Sequence, residues 1–297
     1  MTTAMARTHV ALKNILVATD FSSTSDKALR YAMALASRYH SRIHLAHVMG
    51  PKTIELAPPD TTSQTYEQLY QAAKHSLKDQ ARQLGGLRHQ TYLLNGAAFE
   101  MVESLVRKNH IDLVVVGTNA PKGFEKFVLG STSEEISRTA TCPVLTIGPN
   151  APISEVAGGP KCILFPTDLE SDEAEALADA LSLAERYTAR LVMLHVMVGM
   201  QAPPAEEKAA FEKEYLDQLH RLMPEDVQLP RPAEFRIEYQ QVAADAVLRV
   251  AAEEAADLIV LSVRPKEYWA SRLPDKASKI VAAALCPVLT VRQARGA

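Results

Sequence analysis

Two copies of one sequence pattern follow each other along the chain, and this repeat restricts the possible folds more than any other feature. Three segments recur in the same order: 13–19 (KNILVAT) with 161–167 (KCILFPT), 112–117 (DLVVVG) with 257–262 (DLIVLS), and 141–148 (TCPVLTIG) with 285–292 (LCPVLTVR). An aspartate, Asp20 or Asp168, follows the first segment of each copy. The matching segments lie roughly 145 residues apart, a spacing typical of whole domains rather than of solenoid repeats. The sequence therefore predicts two related domains in tandem.

Composition agrees with two globular domains. Hydrophobic residues make up 47 % and charged residues 23 % of the 297 residues, which is ordinary globular usage and enough for one core per half. A net charge of -3 gives no general attraction to nucleic acid or to anionic lipid. The N-terminal residues lack the apolar segment of a secretion signal, and no apolar run is long enough to span a bilayer. We expect a cytoplasmic protein with neither a nucleic-acid nor a membrane partner.

The three cysteines form neither an even disulfide framework nor a CxxC pair. Cys142 and Cys286 occupy the same repeat position, just before an apolar run. Because a free cysteine behaves as a small hydrophobic residue, we predict that both pack at the entry to a strand rather than bind metal.

Short apolar runs alternate with segments that have helical spacing throughout both halves. Continuous apolar strands separated by helices indicate a parallel sheet that is covered on both faces. We predict an α/β fold of two tandem, doubly wound, Rossmann-like sheets, each with five parallel strands in the order 3-2-1-4-5. Proline and glycine cluster between the halves, which places the domains at 1–149 and 161–297 and a linker at 150–160.

The loop that follows 112–117 carries the strongest functional signal. In open parallel sheets, ligands bind beyond the carboxyl ends of the strands where the strand order reverses, and Asp20, Val48 and Gly117 fall at such ends. Gly117 would let a ligand approach the backbone closely. Gly130, Ser131 and Thr132 open a predicted helix, whose amides, hydroxyls and dipole suit a phosphate. The simpler alternative is that the glycines are turn residues and Ser131 is an N-cap.

These residues resemble the nucleotide signature of the universal stress protein family: glycine, two residues, glycine, nine residues, glycine, and serine or threonine. Gly117, position 120, Gly130 and Ser131 keep this spacing, and the resemblance covers almost the whole chain in two copies. Position 120 departs from the signature because it is Ala120, followed by proline. Gly123 is the nearest flexible substitute.

The resemblance implies a role for each matching residue. In ATP-binding members the aspartate after the first strand holds the nucleoside, which assigns that role to Asp20. The backbone of Val48 would contact adenine, and Ala18 would line the pocket. Gly117 would lie near the ribose. The resemblance therefore implies ATP as the ligand, with Mg²⁺ as an optional companion, and a phosphate contact for Gly130, Ser131 and Thr132 beside a loop formed by Ala120 and Gly123.

The second copy keeps Asp168 but not the rest of this signature. Ser262 replaces Gly117, and Pro274 and Asp275 align with Gly130 and Ser131. A carboxylate at that helix start supplies the charge that a phosphate would bring, and proline removes one amide donor. We therefore predict a degenerate site here and one nucleotide per chain.

Three functions fit the sequence. The first is a regulatory protein of the stress response that binds ATP and acts through protein partners. The second is a slow ATPase, although no general base and no set of metal-binding carboxylates is evident. The third is a ligand-free interaction module. The apolar final strands of the two halves further predict an intramolecular pseudo-dimer, and pairing of whole chains into a homodimer is compatible with the sequence.

Overall fold

A computed structural model describes residues 12–50, 62–118, 133, 135–137, 140–152, 159–169, 173–263 and 276–292. The chain divides into two compact units between Pro149 and Asn150. Each unit is an α/β fold, as the sequence predicts. Among the described helices, none has both the length and the apolar character that crossing a membrane requires.

The first unit contains a five-stranded parallel sheet. Its strands are β1 (Asn14–Ala18), β2 (Arg42–Met49), β3 (His89–Asn95), β4 (Leu113–Gly117) and β5 (Val144–Ile147), and its long helices are α1 (Ser23–Tyr39), α2 (Thr62–Gln83) and α3 (Ala98–Asn109). Residue pairing gives the order β3-β2-β1-β4-β5. The predicted order 3-2-1-4-5 is confirmed, and β1 lies in the middle because the strand order reverses there.

Helix α1 forms and packs for local reasons. The side chain of Ser22 accepts a hydrogen bond from the amide of Ser25 at 3.2 Å, which caps the helix, and Asp26 in the first turn complements the helix dipole. The helix ends at His40, which adopts the left-handed conformation with φ 55°. The helix packs on β1, β4 and β5. Its buried face carries mostly small or aliphatic side chains, which allow a close approach to the sheet: Ala28, Leu29, Ala32 and Ala36.

The second unit repeats this arrangement. Its strands are β6 (Cys162–Thr167), β7 (Arg190–Val198), β8 (Glu234–Gln240), β9 (Leu258–Val263) and β10 (Val288–Arg292), and its helices are α4 (Ala174–Tyr187), α5 (Ala205–Leu222), α6 (Ala243–Glu253) and α7 (Lys276–Ala283). All pairings are parallel, in the order β8-β7-β6-β9-β10. This order is the same as in the first unit, so the sequence repeat is a repeat of topology.

One repeated contact explains the aspartate that begins the DLVVVG and DLIVLS segments. The Oδ2 atom of Asp112 accepts hydrogen bonds from the amides of Lys13 and Asn14 at 2.7 and 2.8 Å. The Oδ2 atom of Asp257 accepts from the amides of Lys161 and Cys162 at 2.8 and 3.0 Å. Each carboxylate thereby satisfies the amides that lead into the first strand of its unit. These aspartates are structural.

Inside the first unit a neutral hydrogen-bonded chain joins three strands and a helix. The Nδ1 atom of His44 lies 2.9 Å from the Tyr92 hydroxyl, which donates to Asn109 Oδ1 at 3.1 Å. Nε2 of His44 lies 3.3 Å from Asn14 Oδ1. Burial, and secondly Arg42, lower the pKa of His44. These contacts give His44 a structural role.

The second unit has an ionic network near the corresponding place. Arg190 Nη1 lies 2.8 Å from Glu254 Oε2, and Arg236 contacts Glu254 at 2.7 Å, Glu238 at 2.6 Å and also Glu253. Arg249 extends the network to Glu238 and Glu253. The two units thus share a topology but differ in the polar contacts that support the sheet.

The three cysteines are free thiols. Cys142 and Cys286 lie two residues before β5 and β10, and burial raises the pKa of each to about 12. A thiol with such a pKa stays protonated and unreactive at neutral pH. Both residues therefore pack at a strand entry, as their sequence position predicts.

Candidate functional site

The first unit brings four of the predicted residues to one edge of its sheet: Ala18, Asp20, Val48 and Gly117. Ala18, the last residue of β1, is in register with Ala46 on β2 and with Val116 on β4. Strand β2 continues to Met49, so it extends three residues beyond this row. Asp20, Val48 and Gly117 all follow the row within two residues. They therefore lie around the point where the strand order reverses.

The turn between β1 and α1 is organised by Thr19. Its hydroxyl accepts a hydrogen bond from the Phe21 amide at 3.0 Å and donates one to the Ser25 hydroxyl at 3.1 Å. Its amide donates to the carbonyl of Ala46 at 2.9 Å. Phe21 adopts φ 63°, which costs a non-glycine residue about 1 kcal/mol, and the Thr19 hydroxyl offsets this strain. The turn is therefore fixed before any ligand arrives.

Asp20 lies on the outside of this turn. Asp20 is exposed, whereas Thr19 is buried. Its Oδ1 atom accepts a hydrogen bond from the Ser22 amide at 3.0 Å, which holds the carboxylate at the sheet edge. An exposed carboxylate in this position is suited to accept hydrogen bonds from hydroxyl groups of a ligand.

His47 connects the turn to β2. Its Nδ1 atom lies 2.8 Å from the carbonyl oxygen of Thr19, and a carbonyl only accepts, so Nδ1 carries the proton. Its ring lies against that of Phe21, with 4.3 Å between the centroids. This contact fixes the backbone next to Val48, which is half-buried.

Gly117 is a glycine for a packing reason that the sequence did not reveal. A Cβ atom at this position would lie 2.5 Å from the carbonyl carbon and oxygen of Thr24 and 2.6 Å from the amide nitrogen of Ser25. The first turn of α1 thus occupies the space of a side chain. The carbonyl of Gly117 accepts a hydrogen bond from the Ser133 hydroxyl at 2.8 Å. The predicted contact of Gly117 with a ligand stays a prediction.

The remaining predicted site residues lie outside the described residues. They are Ala120, Gly123, Gly130, Ser131 and Thr132. Their predicted roles at the phosphates are therefore neither confirmed nor contradicted. Ser133, the next residue, is helical. Within the part of the chain that is described, no three His, Cys, Asp or Glu side chains gather into a group that would hold a metal ion.

The second unit builds the same turn on Thr167. Its hydroxyl accepts from the Leu169 amide at 2.9 Å, Leu169 has φ 67°, and His195 Nδ1 lies 3.1 Å from the Thr167 carbonyl. The threonine hydroxyl donates to a different residue in each unit: Thr19 donates to Ser25, and Thr167 donates to Glu173, which occupies the matching position of the repeat. Glu173 is buried, at 8 % exposure.

A cavity of about 180 Å³ lies at this edge of the second unit. Thr167, Asp168 and Glu173 line one part of it, and apolar side chains of β7, β9, α6 and α7 line the rest. Burial is the main cause that raises the pKa of Glu173 to about 7, and the neighbouring Asp168 carboxylate raises it further. At neutral pH this carboxyl group is thus divided between its acid and its carboxylate.

Sequence reasoning missed the two threonines and Glu173. Thr19 and Thr167 precede the aspartates in both copies, as the shared TD pair in the first repeated segment shows. That pair was a usable signal, because a small hydroxyl residue before a strand-end turn commonly bonds to the backbone two residues on. Glu173 carried no such signal, because the first copy has Ser25 at the matching position and the residue type is not repeated.

Both halves of the chain match one known family. The family model described as the universal stress protein family matches residues 11–148 and again 160–292. A universal stress protein of Mycolicibacterium smegmatis is 24 % identical over 301 residues, which cover 94 % of this chain and 96 % of that protein. A second relative, from Methanocaldococcus jannaschii, is 27 % identical over 139 residues, or 46 % of this chain and 81 % of its own.

Solved structures support the same fold over the full length. A universal stress protein from Archaeoglobus fulgidus superposes with a TM-score of 0.66 at 14 % identity, covering 96 % of this chain and 98 % of its own. At that identity the likeness concerns the fold alone, whereas the family model rests on the sequence of both halves. Two matched family regions account for most of the chain, and the chain belongs to the universal stress protein family.

Proposed function

We propose that the first unit binds one molecule of ATP and that the chain acts as a regulatory protein of the stress response. The observation that carries this proposal is the overhang of β2 at the switch point. Three residues of β2 continue past Ala46, the partner of the last residue of β1. Such an overhang presents backbone groups to a flat ring, which suits recognition of adenine by the backbone of Val48.

The ribose and phosphates have matching features nearby. The exposed Asp20 carboxylate is held by the Ser22 amide and faces the same edge, where it is suited to accept from ribose hydroxyls. Gly117 and the helical Ser133 are joined by a hydrogen bond, so the first described residue of the helix after the signature lies beside the strand end. A helix start here would place amides and the positive end of its dipole at the phosphates.

The second unit supports a stoichiometry of one. Ser262 replaces Gly117, and Asp275 brings a negative charge to the sequence position of Ser131. A buried carboxyl group, Glu173, also lines its cavity. The two carboxyl groups oppose a polyphosphate because negative charges repel, and Ser262 adds a side chain where the family signature has glycine.

A calorimetric titration with ATP, AMP and cyclic AMP tests the proposal. We expect one ATP per chain and no accumulation of ADP over hours. Gly130→Asp should weaken ATP binding at least 100-fold, because it sets a carboxylate at the phosphates, whereas the matched Pro274→Asp in the second unit should leave ATP affinity unchanged. Two ATP per chain, or a larger effect of Pro274→Asp, would overturn it.

A further inference from the structure

The cavity of the second unit has the size of a single ring. Its volume of about 180 Å³ is close to the roughly 150 Å³ of an engineered protein cavity that binds benzene. Sites for larger ligands usually enclose about 300 Å³ or more. The cavity is therefore matched to a small molecule rather than to a nucleoside triphosphate.

Apolar side chains form most of the cavity wall. Val196 and Val198 come from β7, Leu261 and Val263 from β9, and Ile280 from α7. Val198 is 48 % exposed although it lines the cavity, so the rim presents apolar surface to water. A ligand with an apolar body would cover this surface and gain about 25 cal/mol for each Å² removed from water.

The polar part of the wall consists mainly of acceptors. Glu173 Oε2 accepts from the Thr167 hydroxyl, and Oε1 lies 3.4 Å from the Asp168 amide. The carboxyl groups of Asp168 and Glu173 both line the cavity. An ionised carboxylate offers about four acceptor positions, and the hydrogen bonds from Thr167 and from the Asp168 amide leave part of the Glu173 positions for donors that a ligand supplies.

We propose that this cavity binds a small organic cation, namely an amine or an amidine attached to an apolar body of about one ring. The positive group would lie at Glu173 and Asp168, and the ring would lie against the valines and leucine of β7 and β9. This site is independent of the ATP site proposed for the first unit. Its ligand differs in charge and in size.

The other charged groups around Glu173 are compatible with a cation. Lys276 also lines the cavity but is exposed, so water and salt screen its ammonium group. His195 on β7 bonds to Thr167, and burial lowers its pKa, so it is mainly neutral above pH 7. The cavity thus has two carboxyl groups and one ammonium group that is screened by water and salt, and this balance of charge favours a cation.

Benzamidine is a suitable probe because it joins one aromatic ring to a planar cation with several N–H donors. Its neutral analogue benzamide has nearly the same shape and serves as the matched ligand. In titrations of the full chain at pH 8, followed by calorimetry and ligand-observed NMR, we expect one benzamidine per chain and about tenfold tighter binding than for benzamide, or 1.4 kcal/mol.

Two variants distinguish recognition of the positive charge of the ligand from apolar packing of its ring in the cavity. Glu173→Gln keeps the size of the side chain and an acceptor for Thr167, and should make benzamidine bind no better than benzamide. Ala277→Phe should fill the cavity and abolish binding of both. ATP binding should be unchanged in both variants, which also shows that the chain is folded.

Proton release gives a readout that a purely structural role of Glu173 would not produce. Because the pKa of Glu173 is about 7, a bound cation at pH 6.5 would drive its proton into the buffer. Calorimetry in two buffers of different ionisation enthalpy should show this release in the parent chain and not in Glu173→Gln. Failure of benzamidine to bind, equal binding of benzamide, or binding that survives both variants would overturn the proposal.

Discussion

The two strand-end sites have the same turn but different surroundings. In both units a threonine hydroxyl accepts from the amide two residues on, and that residue has a positive φ of 63° or 67°. The hydroxyl then donates to Ser25 in the first unit and to Glu173 in the second. The backbone of this turn therefore does not depend on which side chain accepts from the threonine hydroxyl.

A second difference concerns the strand that faces the turn. Gly117 ends β4 with the backbone of Thr24 in the space of a side chain, whereas β9 has Ser262 at this position. Helix α1 begins at Ser23, and the described part of α4 begins at Ala174, three residues later in the repeat. In the first unit, a side chain at this strand end would therefore overlap the first turn of α1.

The largest effect on stability should come from exchanging the residue types at positions 117 and 262. Gly117→Ser should lower the free energy of unfolding of the first unit by about 3 kcal/mol, because its Cβ would overlap the Thr24 backbone, which cannot move like a side chain. Ser262→Gly should cost about 1 kcal/mol or less. Urea unfolding of the two variants measures both values. Equal losses would remove our explanation of the difference.

A smaller effect should appear when stability is followed against pH. The pKa of Glu173 is about 7 in the folded chain and near 4.5 when unfolded, so between these values only the folded state keeps the proton. Its contribution is full below pH 4.5 and is lost as the pH rises to 7; at about 1.36 kcal/mol for each pKa unit, about 2.5 kcal/mol of it is lost between pH 5 and pH 8. Urea unfolding at pH 5 and pH 8 should show this loss in the parent chain.

The matched variants for this prediction are Glu173→Gln and Ser25→Ala. The first should reduce the loss of stability between pH 5 and pH 8, and the second should leave it as in the parent. In Glu173→Gln the free energy of unfolding should still fall somewhat as the pH rises to 6, because burial and Glu175 raise the pKa of Asp179 to about 6. An unchanged profile in Glu173→Gln would contradict the assignment.

The two aspartates should differ in their effect on ATP. Asp20→Ala should weaken ATP binding about tenfold through lost hydrogen bonds to the ribose, which corresponds to 1.4 kcal/mol. Asp168→Ala should leave ATP affinity unchanged, because its unit lacks the signature. Calorimetry on both variants is the measurement. A larger loss from Asp168→Ala would place the nucleotide in the other unit.

The smallest effect concerns the polar networks beneath the sheets. Arg236→Met should cost about 1 kcal/mol in dilute buffer and less in 1 M NaCl, since the Arg236 pairs with Glu238 and Glu254 are partly exposed. Tyr92→Phe should cost about the same at either salt concentration, because its partners His44 and Asn109 are neutral. Thermal unfolding with and without salt distinguishes the two responses.

The sequence was sufficient for the fold because the repeat and the apolar runs are periodic signals. The alternation of strands and helices indicated doubly wound parallel sheets, and the positions of Asp20, Val48 and Gly117 at strand ends followed from where the apolar runs end. The reason for Gly117 did not, because it is a contact with Thr24, which is 93 positions away in the chain. The repeated TD pair was a signal for the role of the Thr19 hydroxyl, whereas the burial of Glu173 was hidden because it follows no period.

The shared turn also bears on how such a site would be redesigned. Phe21 and Leu169 keep the same unusual backbone geometry in two copies that have otherwise diverged. In protein design, the backbone of Thr19 to Phe21 and of Thr167 to Leu169 could therefore be kept constant. Placing the residue types of Ser25 and Gly117 in the second unit, or those of Glu173 and Ser262 in the first, would change the side chains around the turn. The backbone of the turn should stay the same.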